Sequence, residues 1–333
     1  MKAVFIREHG DPSVMEYGDM PDPAAGPGEV LIRVRAASLN RLDLYTRAGL
    51  RGMTVPDDRL PHILGGDSAG DVAALGEGVN GLIVGQRVVV NPLIASVPAP
   101  QMVGTHRPGA YAELLTVPAA NAVPIPDGLS FEEAAALPTV FLPSWSIIVK
   151  EGGLKSDETA MVLSASSGVG SAAIQIIKGV VGATCIAVTS SPEKVKKALE
   201  LGADHAINYK TEDLGPRVKE ITGGKGIDLV ADSSGAAFFE DAYALLARGG
   251  RFGTCGVTGG YQAQIHLGQL FSKQLRVFGV FMGDTDDLRA IVETAGNGQI
   301  KAVIHATYPL AEAAKAHEEM ERSEHFGKFV LVA

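Results

Sequence analysis

The sequence predicts an α/β protein of two domains, one β-rich and one built on a doubly wound parallel sheet. Three observations carry this. At 333 residues the chain exceeds the usual size of a single core. Up to about Pro126, short apolar runs are broken by Gly and Pro, the texture of an all-β region. From about Leu129, strands alternate with helices of roughly ten to fifteen residues, which implies parallel strands covered on both faces.

In the β-rich part, Val30-Leu31-Ile32-Arg33-Val34 and Val88-Val89-Val90 read as strands. Pro21, Pro23, Pro27 and Gly28 set turns ahead of the first. Ser130-Phe131-Glu132-Glu133 is a capping box, in which hydroxyl and carboxylate serve orphan amides at a helix start. A strand over Ala160–Leu163 leads to a helix over Ser171–Val181 and a strand over Thr184–Val188. Ser191-Pro192 then opens a helix that Gly202 follows. Strands at His205–Asn208, Leu229–Ala231, Gly250–Cys255 and Leu275–Phe281 complete six. The tail from Gly283 to Ala333 holds two helical stretches and a strand, Lys328–Val332, and is expected to return to the first domain. The predicted domains are therefore 1–126 with 283–333, and 127–282.

A net charge of -9 and the lack of a long basic run argue against nucleic acid as a partner. The first residues lack the apolar stretch of a signal peptide, and no segment approaches the roughly 20 apolar residues of a membrane span. The default expectation is a cytoplasmic protein with no membrane partner. The 2 cysteines, Cys185 and Cys255, form no CxxC and read as small buried hydrophobes. The 8 histidines show no H-x-H or H-x-x-x-H pairing, and His62 alone stands near a candidate residue, Asp67. A structural role is the better reading for it.

The chemistry concentrates at Met161-Val162-Leu163-Ser164-Ala165-Ser166-Ser167-Gly168-Val169-Gly170, between a strand and a helix. Small residues there allow a backbone to approach a pyrophosphate, and the helix start offers free amides to negative charge. Laid on G-x-G-x-x-G the positions read Ala165, Ser167 and Gly170, so the setting carries the assignment more than the glycines do. Ser166, Ser167, Gly168, Val169 and Gly170 are the expected dinucleotide contacts. At the end of the next strand an NAD site usually has an acid for the ribose hydroxyls, and here Thr189 takes that place. Thr189, Ser190 and Lys194 suit a 2′-phosphate instead, so the expected cofactor is NADPH. The alternative stays open that Ser191 is only an N-cap and Lys194 only a solvated helix residue.

These residues resemble the medium-chain dehydrogenase/reductase superfamily, and within it the zinc-free quinone oxidoreductase branch. The resemblance runs over essentially the whole chain. It includes Leu64-Gly65-Gly66-Asp67-Ser68-Ala69-Gly70, Leu75-Gly76-Glu77-Gly78-Val79, Gly85-Gln86-Arg87-Val88, Gly109-Ala110-Tyr111-Ala112-Glu113 and Phe326-Gly327-Lys328-Phe329-Val330-Leu331. It implies a GroES-like catalytic domain, a Rossmann domain and a cleft between them. The zinc alcohol dehydrogenases of the superfamily carry Cys, His-Glu and a third ligand on the catalytic metal. Here Asn40 stands at the Cys position, Gly66-Asp67 replaces His-Glu, and the third place falls near Thr139 or Val140. Leu42 replaces the relay hydroxyl. The structural-zinc lobe is reduced to a cysteine-free, Pro-rich loop between Pro92 and Pro108. No metal is expected.

A site without a Lewis acid suits an acceptor that is already electrophilic, a quinone or an enone. Candidate catalytic residues are Asn40, Asp43, Tyr45, Asp67 and Thr139. Asn40 is a possible donor to a carbonyl and Tyr45 a possible stacking surface, while Asp43 and Asp67 orient their neighbours. For Asn40 and Asp43 the plain alternative is capping a helix start, and for Tyr45 it is packing. The resemblance places Arg41 and Lys328 near the pyrophosphate and Tyr209 near the adenosine phosphate. Ser233, Gly256, Val257, Phe281 and Met282 follow the fourth to sixth strands, at the carboxyl edge where ligands bind. Two other functions remain open: an alcohol dehydrogenase acting on alcohols or aldehydes, and a non-catalytic NADPH-binding protein. Family analogy adds a homodimer paired through Leu275–Phe281.

Overall fold

The structure, a computed structural model, describes all residues from Met1 to Ala333. The chain forms two compact units. The first comprises Met1–Thr139, Asp284–Gly296 and Ala302–Ala333, and the second Val140–Gly283 with Asn297–Lys301.

The first unit is organised around the ten-residue strand Glu29–Ser38. It pairs antiparallel with Asp67–Leu75 along its length, with Leu114–Pro118 at its start and with Lys328–Val332 at its end. Arg87–Val90 and Ala122–Pro124 extend the sheet on one side, and Ile304–Pro309 on the other. Alternation along Glu29–Ser38 sends Val30, Ile32 and Val34 into a core with Val72, Val88, Leu115 and Phe329. Gly70 is needed because a Cβ there would collide with the Arg33 carbonyl across the strand pair. The register opposes Ser38 to Asp67 on one side and to Val330 on the other. Residues near 38, 67 and 328, far apart in sequence, thereby meet at one end of the sheet.

The first unit continues to Thr139 rather than ending near Pro126. The Ser130 capping box forms as expected, with Ser130 N donating to Glu133 and Glu133 N donating to Ser130 Oγ, both at 3.1 Å. Its helix, Phe131–Ala135, packs on Glu29–Ser38 and Asp67–Leu75. Ala134, Ala135, Ala136 and Leu137 are fully buried there. The tail does return to the first unit, except for Asn297–Lys301. That segment stays with the second because Lys301 N donates to Gln175 Oε1 and Gln175 Nε2 donates back to Lys301 O, each at 2.8 Å. The loop expected between Pro92 and Pro108 contains a small antiparallel pair, Leu93–Ile94 with Gln101–Met102.

The second unit holds a six-stranded parallel sheet. Its order is His205–Asn208, Thr184–Thr189, Thr159–Val162, Ile227–Asp232, Leu246–Thr254 and Arg276–Gly279. Numbered along the chain this is the 3-2-1-4-5-6 arrangement of a doubly wound dinucleotide fold. Ile227–Asp232 is buried throughout, which explains its lack of polar alternation. The last strand is shorter than predicted, Arg276–Gly279, and lies at an open edge of the sheet. Arg251 ties the unit together, donating from two guanidinium nitrogens to the two carboxylate oxygens of Glu158 at 2.8 Å. No helix is long and apolar enough to cross a membrane.

Candidate functional site

The end of the first unit's sheet carries a buried polar cluster centred on Asp67, whose side chain is closed to solvent. Thr139 donates from Oγ1 to Oδ1 at 2.6 Å and from its backbone N–H at 3.2 Å. Asn40 Nδ2 donates to Oδ2 at 2.9 Å. Ser38 Oγ lies 3.2 Å from the same oxygen and shares its proton with the Ala135 carbonyl at 2.9 Å. Lys328 Nζ approaches Oδ2 to 3.5 Å, and it also donates to Leu39 O at 2.6 Å and to Asn40 Oδ1. Lys328 is 4% exposed. Burial pulls its pKa below the ordinary lysine value, and the Asp67 and Asp43 carboxylates work against that pull.

A second chain of polar groups runs from this cluster into the unit. Asn40 stands at the N-cap of helix Arg41–Ala48, and its backbone N–H donates to Asp43 Oδ2 at 2.8 Å. Tyr111 Oη donates to the same oxygen at 3.2 Å, and His317 Nε2 lies 3.3 Å from Tyr111 Oη. Arg47 Nη1 lies 3.2 Å from His317 Nδ1, and Arg47 Nη2 reaches Glu321 at 2.5 Å. A guanidinium can only donate, so His317 Nδ1 accepts and the ring proton sits on Nε2. That proton points at Tyr111 Oη, which leaves the Tyr111 proton for Asp43. One end of the chain thus sets the direction of every hydrogen bond in it. Burial pushes the Asp43 carboxyl up to about 7, against the lowering effect of its donors. Burial, then the Arg47 charge, holds the His317 imidazole down to about 3.

In the second unit, the turn after Thr159–Val162 forms as expected. Ser164 takes a left-handed backbone angle, φ 54°. Ser167 caps the helix Gly168–Gln175 by accepting from Gly170 N at 3.0 Å. The Gly168 and Val169 N–H groups open that helix, where no intrahelical acceptor exists for them. A Cβ on Gly170 would strike the Ser164 carbonyl and the Ala165 backbone, so the tight turn requires glycine. At the end of the neighbouring strand, Thr189 is 2% exposed and its hydroxyl has no hydrogen-bond partner. An orphaned buried hydroxyl beside a free helix start fits a ligand rich in phosphate and hydroxyl oxygens.

Residues 168–297 match the zinc-binding dehydrogenase family and residues 26–127 the alcohol dehydrogenase GroES-like domain. The chain is similar to a quinone oxidoreductase of Pseudomonas aeruginosa, 34% identical over 99% of each chain. It belongs to the medium-chain dehydrogenase/reductase superfamily, in the quinone oxidoreductase-like branch. A solved NAD-dependent alcohol dehydrogenase superposes with a TM-score of 0.94 at 40% identity over 100% of both chains. Escherichia coli quinone oxidoreductase, solved with NADPH, gives 0.86 at 30% identity over 100% of both. The GroES-like and Rossmann architectures follow for the first and second units.

The resemblance read from the sequence sets Asn40, Gly66-Asp67 and Thr139 or Val140 where the alcohol dehydrogenases would hold zinc. The donor set does not fit that ion. Asn40, Gly66, Thr139 and Val140 supply neither thiolate nor imidazole, and the Asp67 carboxylate is engaged by four residues including an ammonium. No three His, Cys, Asp or Glu residues converge as a ligand group anywhere in the chain.

Asn40, Asp67 and Thr139 are in direct contact, with Asp43 one hydrogen bond away through the Asn40 backbone. Tyr45 is half-buried on the same helix, with the Arg51 guanidinium 4.7 Å from its ring centre. Arg41 donates to Ser323 Oγ at 2.6 Å. Lys328, expected at a pyrophosphate, instead spends its ammonium inside the Asp67 cluster. His62 is structural, buried with Nε2 3.1 Å from the Gly104 carbonyl.

In the second unit, the Ser191 hydroxyl accepts from Lys194 N at 3.3 Å, so the N-cap reading of Ser191 holds. Ser190 and Lys194 are half-buried. Tyr209 is 39% exposed and packs edge-on against Phe238. Ser233, Gly256 and Val257 lie on two loops that Asp232 ties together. Its carboxylate accepts from Ser234 N at 2.8 Å, Gly235 N at 2.9 Å and Thr254 Oγ1 at 2.8 Å. Phe281 is exposed, while Met282 is buried and its carbonyl accepts from Ser146 Oγ at 2.9 Å.

Sequence reasoning missed Ser38, Arg47, Tyr111, Asp232 and His317 as parts of these arrangements. Tyr111 lay in a family segment, and that was its one available signal. The rest depend on strand register and helix packing.

Asp43 and His317 contribute to stability with opposite signs. A carboxyl raised to about 7 in the fold favours folding below its unfolded value near 3.8, and that contribution is lost as pH rises through 7. An imidazole held near 3 favours folding above 6.5, and that contribution is lost as pH falls. The two offset each other in the parent. Asp43→Asn keeps an acceptor for Asn40 and Tyr111 and removes the titrating carboxyl, leaving the His317 contribution alone. Its unfolding free energy relative to the parent should therefore improve from pH 4 to pH 7, by an amount on the order of a few kcal/mol. Denaturant melts at both pH values read this, and a difference independent of pH contradicts the assignment.

Proposed function

We propose that the protein is a zinc-independent, NADPH-dependent oxidoreductase that reduces a quinone or an enone. The observation that supports this reading is the Asp67 cluster, where the Lys328 ammonium, Asn40 and Thr139 all bind one carboxylate and leave it no free coordination. When bound, the reduced nicotinamide supplies the hydride. Asn40 donates a hydrogen bond to the acceptor oxygen as negative charge develops there, and Asp67 holds its carboxamide in place. Tyr45, its ring backed by Arg51, offers a surface for a flat acceptor. Gly168 and Val169 present amides to the pyrophosphate, and Thr189, Ser190 and Lys194 receive the 2′-phosphate.

The alcohol dehydrogenase reading keeps a specific observation in its favour, the 40% identity to a solved NAD-dependent alcohol dehydrogenase. On that reading the acceptor is an aldehyde, and the enzyme works without zinc or recruits a metal through other residues. We also propose a homodimer formed across the open sheet edge at Arg276–Gly279. Phe271 and Phe281 are more than two-thirds exposed near it, and Val277 lies on the strand itself.

After chelation, NADPH oxidation should proceed with 1,2-naphthoquinone or a simple enone and be negligible with a simple aldehyde. Turnover of the aldehyde alone rejects the reading, and tight NADPH binding with no turnover of any acceptor supports a non-catalytic binding protein. Lys194→Ala should weaken NADPH binding about 10-fold and leave NADH nearly unchanged; equal effects on both reject the phosphate role. Val277→Lys should halve the mass measured by light scattering, and an unchanged mass places the interface elsewhere.

A further inference from the structure

We infer that Lys328 is a positioning residue that fixes which way the Asn40 carboxamide faces, leaving one Asn40 N–H as the donor for the acceptor oxygen. The inference deepens the proposed reaction and rests on Asn40 as its hydrogen-bond donor. A carboxamide is nearly symmetric in shape, and its terminal torsion has two broad wells, so a flip exchanges oxygen for nitrogen at little steric cost. Its neighbours decide the orientation. Here one neighbour is an ammonium, which only donates, and the other a carboxylate, which only accepts.

Asn40 Oδ1 accepts from Lys328 Nζ, and Asn40 Nδ2 donates to Asp67 Oδ2 at 2.9 Å. A flip would set donor against donor and acceptor against acceptor, both away from water. The second N–H on Nδ2 is then the one donor of this carboxamide left for a ligand. With the amide reversed, an oxygen lone pair would face an electron-rich acceptor oxygen and oppose charge development.

The lysine is itself held from two directions. Its strand is locked beside Leu39, whose N–H donates to Phe329 O at 3.0 Å. Its ammonium has three N–H bonds and three acceptors: Leu39 O, Asn40 Oδ1 and Asp67 Oδ2. None is left for a pyrophosphate.

The test compares side chains that differ in donor character. Arginine only donates, glutamine both donates and accepts, and methionine does neither. Two readouts are used: the Asn40 side-chain amide resonances in protein labelled with ¹⁵N-asparagine, and steady-state kinetics with NADPH and 1,2-naphthoquinone. Lys328→Arg should stay near the parent in both. Lys328→Gln and Lys328→Met should shift or broaden the Asn40 amide pair. They should also lower kcat about 10- to 100-fold, with the Kd for NADPH within twofold of the parent. The Lys328→Met loss should vanish in an Asn40→Ala background, as coupled residues require.

A glutamine variant as active as the parent, unaltered amide resonances, or a tenfold weaker NADPH Kd with kcat unchanged would each overturn the inference. If Lys328→Met does not fold, the arginine and glutamine variants carry the comparison. If Asn40→Ala turns over like the parent while Lys328→Gln still disturbs the Asn40 amide, the orienting role stands and the donor reading of Asn40 falls.

Discussion

The first unit depends on a charge pair that water does not reach. Asp67 and Lys328 are both buried, and neither would be stable there as an isolated ion. Their mutual attraction at 3.5 Å is only part of the compensation. Hydrogen bonds from Thr139, Asn40 and Ser38 satisfy the carboxylate, while the Leu39 and Asn40 oxygens satisfy the ammonium. The last strand of the chain is thus tied electrostatically to strands formed near its beginning. Removing either ion would leave the other buried and unpaired, a larger loss than the pair's own net contribution.

That constraint also shapes the chemistry. A zinc ion at this end of the sheet would need three protein donors, and the chain has instead closed the space around its one carboxylate with groups that satisfy one another. The cost of polar burial is met by making every group a committed donor or acceptor, so the surviving free donor on Asn40 points one way. The Arg47–His317–Tyr111–Asp43 chain repeats the principle a few ångströms away. A donor-only guanidinium at one end determines a tautomer, a hydroxyl rotor and the partner of a carboxylate in turn.

The fold was legible because its signals are local. Strand-to-helix alternation after Leu129, the Ser130 capping box and the small-residue turn before Gly170 each act over a few residues. His205–Asn208 and Lys328–Val332 are strands over the span read from the sequence. The domain boundary near Pro126 was not legible, because helix Phe131–Ala135 carries a start signal but no mark of which sheet its apolar face covers. Alanine-rich faces suit either. Only packing on Glu29–Ser38 and Asp67–Leu75 decides it.

The site divides along the same line. Asn40, Asp67 and Thr139 could be named because the family resemblance sets them at or beside the metal-ligand positions of zinc relatives, and the structure brings the three into contact. Lys328 could be named as a cation but not aimed. Its direction follows from the register that opposes Ser38 to both Asp67 and Val330, two pairings that span 29 and 292 residues of chain. A long, flexible cation near a sheet end has two outlets, a phosphate outside or an acceptor cluster inside. Three inward acceptors, one of them anionic, outweigh an outward ligand that must first arrive. The lysine therefore belongs to the architecture of the site before any ligand enters.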